Sequence, residues 1–219
     1  MDKKSVNTYR YSDFNEQELV KKYDKWYERN RFAYLSEVNA IKEVMSKGLG
    51  LEVGVGTGRF ASVLKIPFGL DPAEKCLKLA YQRGVKVIRA SGEYLPFPDE
   101  TFDYLLMTIT LSFLKDPLQA LHEANRVLNQ GARIIVGIID RNSFLGELYQ
   151  KEGDKGHSFY RDAELFTSDE AINLLNENEF KTLKIYQTIF RLPKNLKNIE
   201  KPIEGYGKGS FVVISAKKQ

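Results

Sequence analysis

Cys76 is the one cysteine in the chain. A lone thiol closes no internal disulfide, and no cluster of metal ligands surrounds it, so a reducing, cytoplasmic setting without a bound metal is expected. Long apolar runs are also missing. None approaches the ~18 residues a membrane span requires, and no membrane partner is expected. Met1-Asp2-Lys3-Lys4 is followed by polar residues instead of an apolar core, which argues against an export signal. Strong charge of one sign is lacking: 33 Lys and Arg stand against 29 Asp and Glu, a formal net charge of +4. Most of the basic residues neighbour acids, so the excess is too mild to imply nucleic acid. There is no internal repeat, no low-complexity segment and no linker, and one domain spanning residues 1–219 is expected.

What is present is a change of periodicity. Up to about Lys47, apolar residues recur at three- and four-residue spacing (Leu19, Val20, Tyr23, Trp26, Tyr27, then Tyr34, Leu35, Val38, Ile41), which predicts helix. From Leu49 short apolar strands alternate with helices. Strands are expected at 49–53, 68–70, 85–88, 102–108 and 131–139. Helices are expected at 59–64, 73–83 and 117–128, with Pro117 suited to a first turn. This alternation predicts an α/β fold, a Rossmann-like doubly wound, mostly parallel sheet. Arg141 to Phe166 reads as polar, aromatic and weakly periodic. A helix from Ser168 or Asp169 and two strands, 183–190 and 211–216, close the chain as an antiparallel hairpin at the sheet edge.

The chemistry concentrates in Leu51-Glu52-Val53-Gly54-Val55-Gly56-Thr57-Gly58-Arg59. Glycines at alternate positions allow a tight turn and close approach to a ligand, and the next helix begins at once with its free N–H groups facing outward. No lysine follows Gly58, so the loop is not a phosphate-binding P-loop. Glu52 before the turn suits a ligand bearing an ammonium group better than a diphosphate, which it would repel. Asp71 ends the second strand, where a carboxylate can accept both hydroxyls of a ribose; an alternative role is capping the next helix. Glu93 follows the third strand, as a further candidate or as a loop acid.

Five blocks in order resemble the class I methyltransferases that use S-adenosylmethionine (SAM), in particular the methyltransferase type 11 group. They are residues 51–58, Gly69-Leu70-Asp71-Pro72, Glu93-Tyr94-Leu95-Pro96-Phe97-Pro98-Asp99, Phe102-Asp103-Tyr104, and 120–128 followed by Gly131. The resemblance implies a SAM-binding core at 48–140, beneath a helical cap at 1–47, with a lid at 141–168 and a C-terminal helix and hairpin at 169–219. It implies that Glu52 holds the methionine ammonium, directly or through water. Gly54, Gly56 and Gly58 would line the methionine and ribose, with Asp71 and Pro72 at the ribose diol. Ser91, Gly92 and Glu93 would border the adenine, and Thr108 and Ile109 would face the methionine. Ser91 departs from the acid often found at its position.

Transfer from a sulfonium needs positioning more than catalytic groups, so no catalytic residue follows from the motif. His157 and Tyr160, in the insert beyond the fifth strand, are the candidates for a base or acceptor contact, with 152–156 as a lid. Trp26, Tyr27, Tyr34 and Arg141 are candidates for the acceptor site. The Asn/Asp-Pro-Pro-Tyr/Phe signature of nucleic-acid amino-methylating enzymes is absent, so a small-molecule acceptor is expected. An RNA methyltransferase or one with an acidic substrate, left open by Lys194, Lys197, Lys201 and Lys208, a non-catalytic SAM-binding protein and a nicotinamide oxidoreductase are the alternatives.

Overall fold

Alternate residues of the central strands carry apolar side chains to opposite faces, so helices must cover both. In the computed structural model, which describes residues 17–157 and 159–219, this is how the chain packs. Met1–Lys4, read above for an export signal, and Ser158 in the insert lie outside the described residues.

Helices α1 (Gln17–Arg29) and α2 (Arg31–Lys42) precede β1 (Gly50–Val53), α3 (Arg59–Leu64), β2 (Phe68–Leu70), α4 (Glu74–Gln82) and β3 (Lys86–Ile88). There follow β4 (Phe102–Thr108), α5 (Pro117–Val127), β5 (Leu128–Ile139), α6 (Phe144–Asp154), α7 (Ser168–Glu177), β6 (Phe180–Thr188), β7 (Ile203–Glu204) and β8 (Phe211–Lys218). Strand order is β3-β2-β1-β4-β5-β8-β6-β7, with β1 to β5 parallel and β8 antiparallel to both β5 and β6. Leu105 and Met107 of β4 and Ile134, Val136 and Ile138 of β5 pack on one face with Leu121 and Ala124 of α5 and Ala171 of α7. Leu106 and Ile135 face the other way, onto Ala33 and Ile41 of α2 and Phe60 and Ala61 of α3.

Two elements differ from the sequence reading. The C-terminal strands do pair antiparallel, but β8 sits inside the sheet, between β5 and β6, and the short β7 forms the outer edge. From Phe211 to Ala216 every residue of β8 is buried, the pattern of a central strand. The segment after Asp140 is less irregular than its sequence suggests. Ser143 caps α6 by accepting a hydrogen bond from the Gly146 amide at 3.1 Å, and eleven helical residues follow, including Glu152, Gly153 and Asp154 of the expected lid. Gly146 and Gly153 obscure this helix because glycine is a poor helix former.

The carboxyl ends of β1 and β4 lie side by side where strand order reverses. In an open parallel sheet this switch point is where ligands bind. Among the described residues no helix is long and apolar enough to cross a membrane.

Candidate active site

At the end of β1 the chain turns under the end of β2: the amides of Gly54 and Val55 both donate to the Leu70 carbonyl, at 2.9 Å each. The glycines that follow serve different ends. Gly56 has φ +50°, and a Cβ there would meet only the Tyr23 ring, at 3.8 Å, so this residue leaves space open. Gly58 has φ +78°, and its Cβ would lie 2.8 Å from the Ala80 Cα; it lets α3 and α4 approach. Asp71 is anchored at both oxygens, Oδ2 accepting from the Gly56 amide at 3.0 Å and Oδ1 from the Ala73 amide at 2.8 Å. Burial raises its pKa to about 6, although the two amides oppose the shift.

Helix α1 is clamped over this loop by Asp24. Its carboxylate accepts hydrogen bonds from the Thr57 hydroxyl at 2.7 Å, Arg59 Nε at 2.8 Å and Arg83 at 2.8 Å. Burial alone would raise the Asp24 pKa, but these donors hold it down at about 2. At the end of β4, Ile109 takes a left-handed φ of 62°, an outlier for a β-branched residue, and its amide donates to Gly137 O at 2.7 Å.

Between these elements lies a cavity of about 180 Å³, more than ten times the space of one ordered water. Gly54, Gly56, Asp71, Thr108 and Ile109 form its floor. Trp26 and Tyr27 of α1, Tyr149 of α6, and Phe159 and Tyr160 wall it with aromatic rings, and Glu37 reaches it from α2. The rings interlock: Tyr149 stacks on Tyr160 at 4.0 Å, and Tyr23 meets Tyr27 edge-on at 5.3 Å with their hydroxyls 2.6 Å apart.

A family model described as a methyltransferase domain matches residues 51–136. A Thermotoga maritima crystal structure of a SAM-dependent methyltransferase, described as a "possible histamine N-methyltransferase", superposes with a TM-score of 0.92 at 44% identity. The match covers 96% of this chain and 100% of that one. This chain belongs to the class I SAM-dependent methyltransferases. An uncharacterized Methanocaldococcus jannaschii protein is 47% identical over 91% of this chain and 96% of its own length. An Aquifex aeolicus SAM-dependent methyltransferase, 19% identical with a TM-score of 0.65 over 93% of this chain and 99% of its own, shares the fold.

Several residues expected at the site of this methyltransferase lie outside the cavity lining. Glu52 is 1% exposed and sits behind the floor. Burial pushes its carboxyl well above the usual range, against the opposing influence of the Ala61 amide and Thr108 hydroxyl. Neither Glu52 Oε2 nor Thr108 Oγ1 has a hydrogen-bond partner of normal geometry. Ser91, Gly92 and Glu93 are also set back: Glu93 accepts from the Lys115 amide at 2.9 Å and so holds the start of α5. The Pro72 carbonyl accepts from Arg89 at 3.2 Å.

Three acceptor-site candidates are not among the residues that line the cavity. Tyr34 donates to the Arg59 carbonyl at 2.6 Å. The Arg141 guanidinium is held by Glu170 and by Leu165 O, fixing α7 and not facing the cavity. His157 stacks outside the lining, on Tyr160 at 4.9 Å, and its Nδ1 accepts from the Phe159 amide at 3.3 Å. Glu37 and Tyr149, with Thr110 and Phe113, are among the lining residues that sequence reasoning missed. For Glu37 a signal existed: it falls on the buried stripe of α2, four residues after Ala33 and four before Ile41.

Proposed function

We propose that the floor of this cavity binds SAM and that the aromatic chamber above it receives a small-molecule acceptor. The observation that carries this reading is Asp71, whose carboxylate is fixed by two amides beside the open space at Gly56. A carboxylate oriented in this way can accept the ribose hydroxyls without reorganising. The Gly54–Gly56 turn then borders ribose and methionine. Thr108 Oγ1 and Glu52 Oε2, which have no hydrogen bond of normal geometry among the described residues, suit the methionine ammonium, with Glu52 acting through Thr108 or a water. Thr108 and Ile109 face the methionine chain. Gly58 and Pro72 support the loop, and Ser91, Gly92 and Glu93 frame the adenine side through their backbone. Glu93 is occupied as a loop clasp, so backbone amides are its replacement at the base.

The bound donor supplies an activated methyl group. The chain's residues then position the acceptor, exclude water and take up a proton where one is lost. Interlocked rings at the cavity wall serve the first two tasks. The name of the Thermotoga maritima relative makes histamine one acceptor to assay.

Calorimetry with S-adenosylhomocysteine (SAH) tests the donor site. The wild type is expected to bind in the micromolar range, with affinity falling as pH drops through about 6 and Asp71 takes up a proton. Asp71→Asn is expected to weaken binding at least about tenfold at pH 7.5, the scale of one charge-assisted hydrogen bond. Unchanged SAH affinity in Asp71→Asn, or no binding by the wild type, would overturn the proposal.

A further inference from the structure

Resting on the donor site proposed above, we infer that the acceptor is a small amine and that Glu37 is the carboxylate that receives it and takes its proton. Glu37 lines the cavity and is only 3% exposed. Its Oε2 has no hydrogen-bond partner among the described residues. A buried carboxyl without a partner costs stability, and in native proteins such groups are paired or functional. No cation faces it. Among the described residues the cavity lining contains no Lys, Arg or His, and the ionisable groups that act on or are acted on by Glu37 are the phenols of Tyr27, Tyr34, Tyr149 and Tyr160.

The chamber therefore presents a carboxyl and the electron-rich faces of Trp26, Tyr27, Tyr149 and Tyr160. Both features attract a cationic nitrogen. Both disfavour an acid or phosphate acceptor, which would find no positive partner among the described residues of the lining. Among acceptors, an amine is the class that completes the site.

An amine arrives as an ammonium ion and must lose a proton before its lone pair can attack. Burial raises the Glu37 pKa to about 8, with no other contribution, which makes its carboxylate a stronger base than an exposed one. The step balances as follows. Glu37 Oε2 takes one proton from the ammonium, and the freed nitrogen lone pair forms the new N–C bond to the methyl carbon. The C–S bond breaks with its electron pair remaining on sulfur, giving SAH and a methylated ammonium. The second product leaves as a cation, and the Glu37 proton returns to solvent after product release.

Methyl transfer and calorimetry on the full chain, with matched probes, test this. The probes are phenethylamine and tryptamine, their alcohols phenethyl alcohol and tryptophol, and their acids phenylacetate and indoleacetate. With wild type and SAM, the amines are expected to turn over at least about tenfold faster than the alcohols and acids. Glu37→Gln is expected to lower kcat for amines by roughly 100-fold or more, the scale of a lost general base, with SAH affinity within about twofold of wild type. Glu37→Asp is expected to recover part of the rate. Alcohols or acids equalling the amines, no amine turnover by the wild type, or Glu37→Gln retaining a third of the wild-type kcat would each overturn the inference while leaving the donor site intact. Loss of SAH binding in a folded Glu37→Gln protein would assign Glu37 to the donor and equally overturn it. Failure of the wild type to bind SAH is the separate result that removes the donor site itself.

Discussion

Two carboxylates show how differently burial and partners act on the same group. Asp24 is surrounded by donors from Thr57, Arg59 and Arg83, which hold its pKa at about 2. A depressed folded-state pKa adds stability above the unfolded value, near 4, that is lost as pH falls through about 2. Asp24→Asn is expected to cost roughly 2 kcal/mol in urea unfolding at pH 7, with the gap to wild type closing between pH 4 and 2. Glu37 is the opposite case. Its raised pKa means that the folded state holds more protons than the unfolded chain between about 4.5 and 8, so its contribution worsens as pH rises across that range. The acceptor role inferred above accounts for this unfavourable burial, in the way that strained or unsatisfied groups cluster at functional sites. Ile109, held at φ 62° in the cavity floor, belongs to the same class of local cost.

At the scale of elements, the aromatic wall depends on how closely α6 meets the segment after it. A Cβ on Gly153 would lie 2.7 Å from the Tyr160 carbonyl oxygen, a clash with backbone that only movement of that segment could relieve. Gly153 thus permits close contact, a role different from that of a residue in the lid expected at 152–156. Gly153→Ala is expected to raise the acceptor KM several-fold, through displacement of Tyr160, while SAH affinity stays within about twofold of wild type. Steady-state kinetics alongside calorimetry separates the two effects. The N-terminal helices are equally part of the site: α1 carries Trp26 and Tyr27 and is tied to the glycine loop through Asp24, and α2 carries Glu37.

For the molecule as a whole, the parallel half of the sheet holds the glycine loop and Asp71, and the elements on either side of it in sequence complete the structure around it. The antiparallel strands β6 and β8 extend the sheet, while α1, α2 and α6 close the cavity. A ligand that binds only when these parts are assembled stabilises all of them together. SAH at about 100 times its Kd is expected to add roughly 2.7 kcal/mol and to raise the thermal midpoint by about 5–10 °C in a single transition. Two separated transitions, with only one shifted by SAH, would mean that the helical cap unfolds independently of the core.

Periodicity along the chain was enough to read the α/β class, the strands at 68–70 and 102–108 and the helix at 59–64, and the glycine spacing was enough to read the turn after β1. These depend on local rules: side-chain alternation in strands, the helical repeat, and the backbone freedom that a tight turn demands. The interior position of β8 lay beyond that reach, as did the engagement of Arg141 with Glu170 and of Glu93 with the Lys115 amide, and the presence of Tyr149 beside Tyr160. Each is a contact between residues far apart in sequence or on separate elements, and which partner a polar or aromatic side chain finds is decided only when the layers pack. Glu37 lies between the two cases. Its place on the apolar stripe of α2 was visible in the residues, but only the packed structure leaves its carboxyl buried without a cation and facing a chamber of aromatic rings.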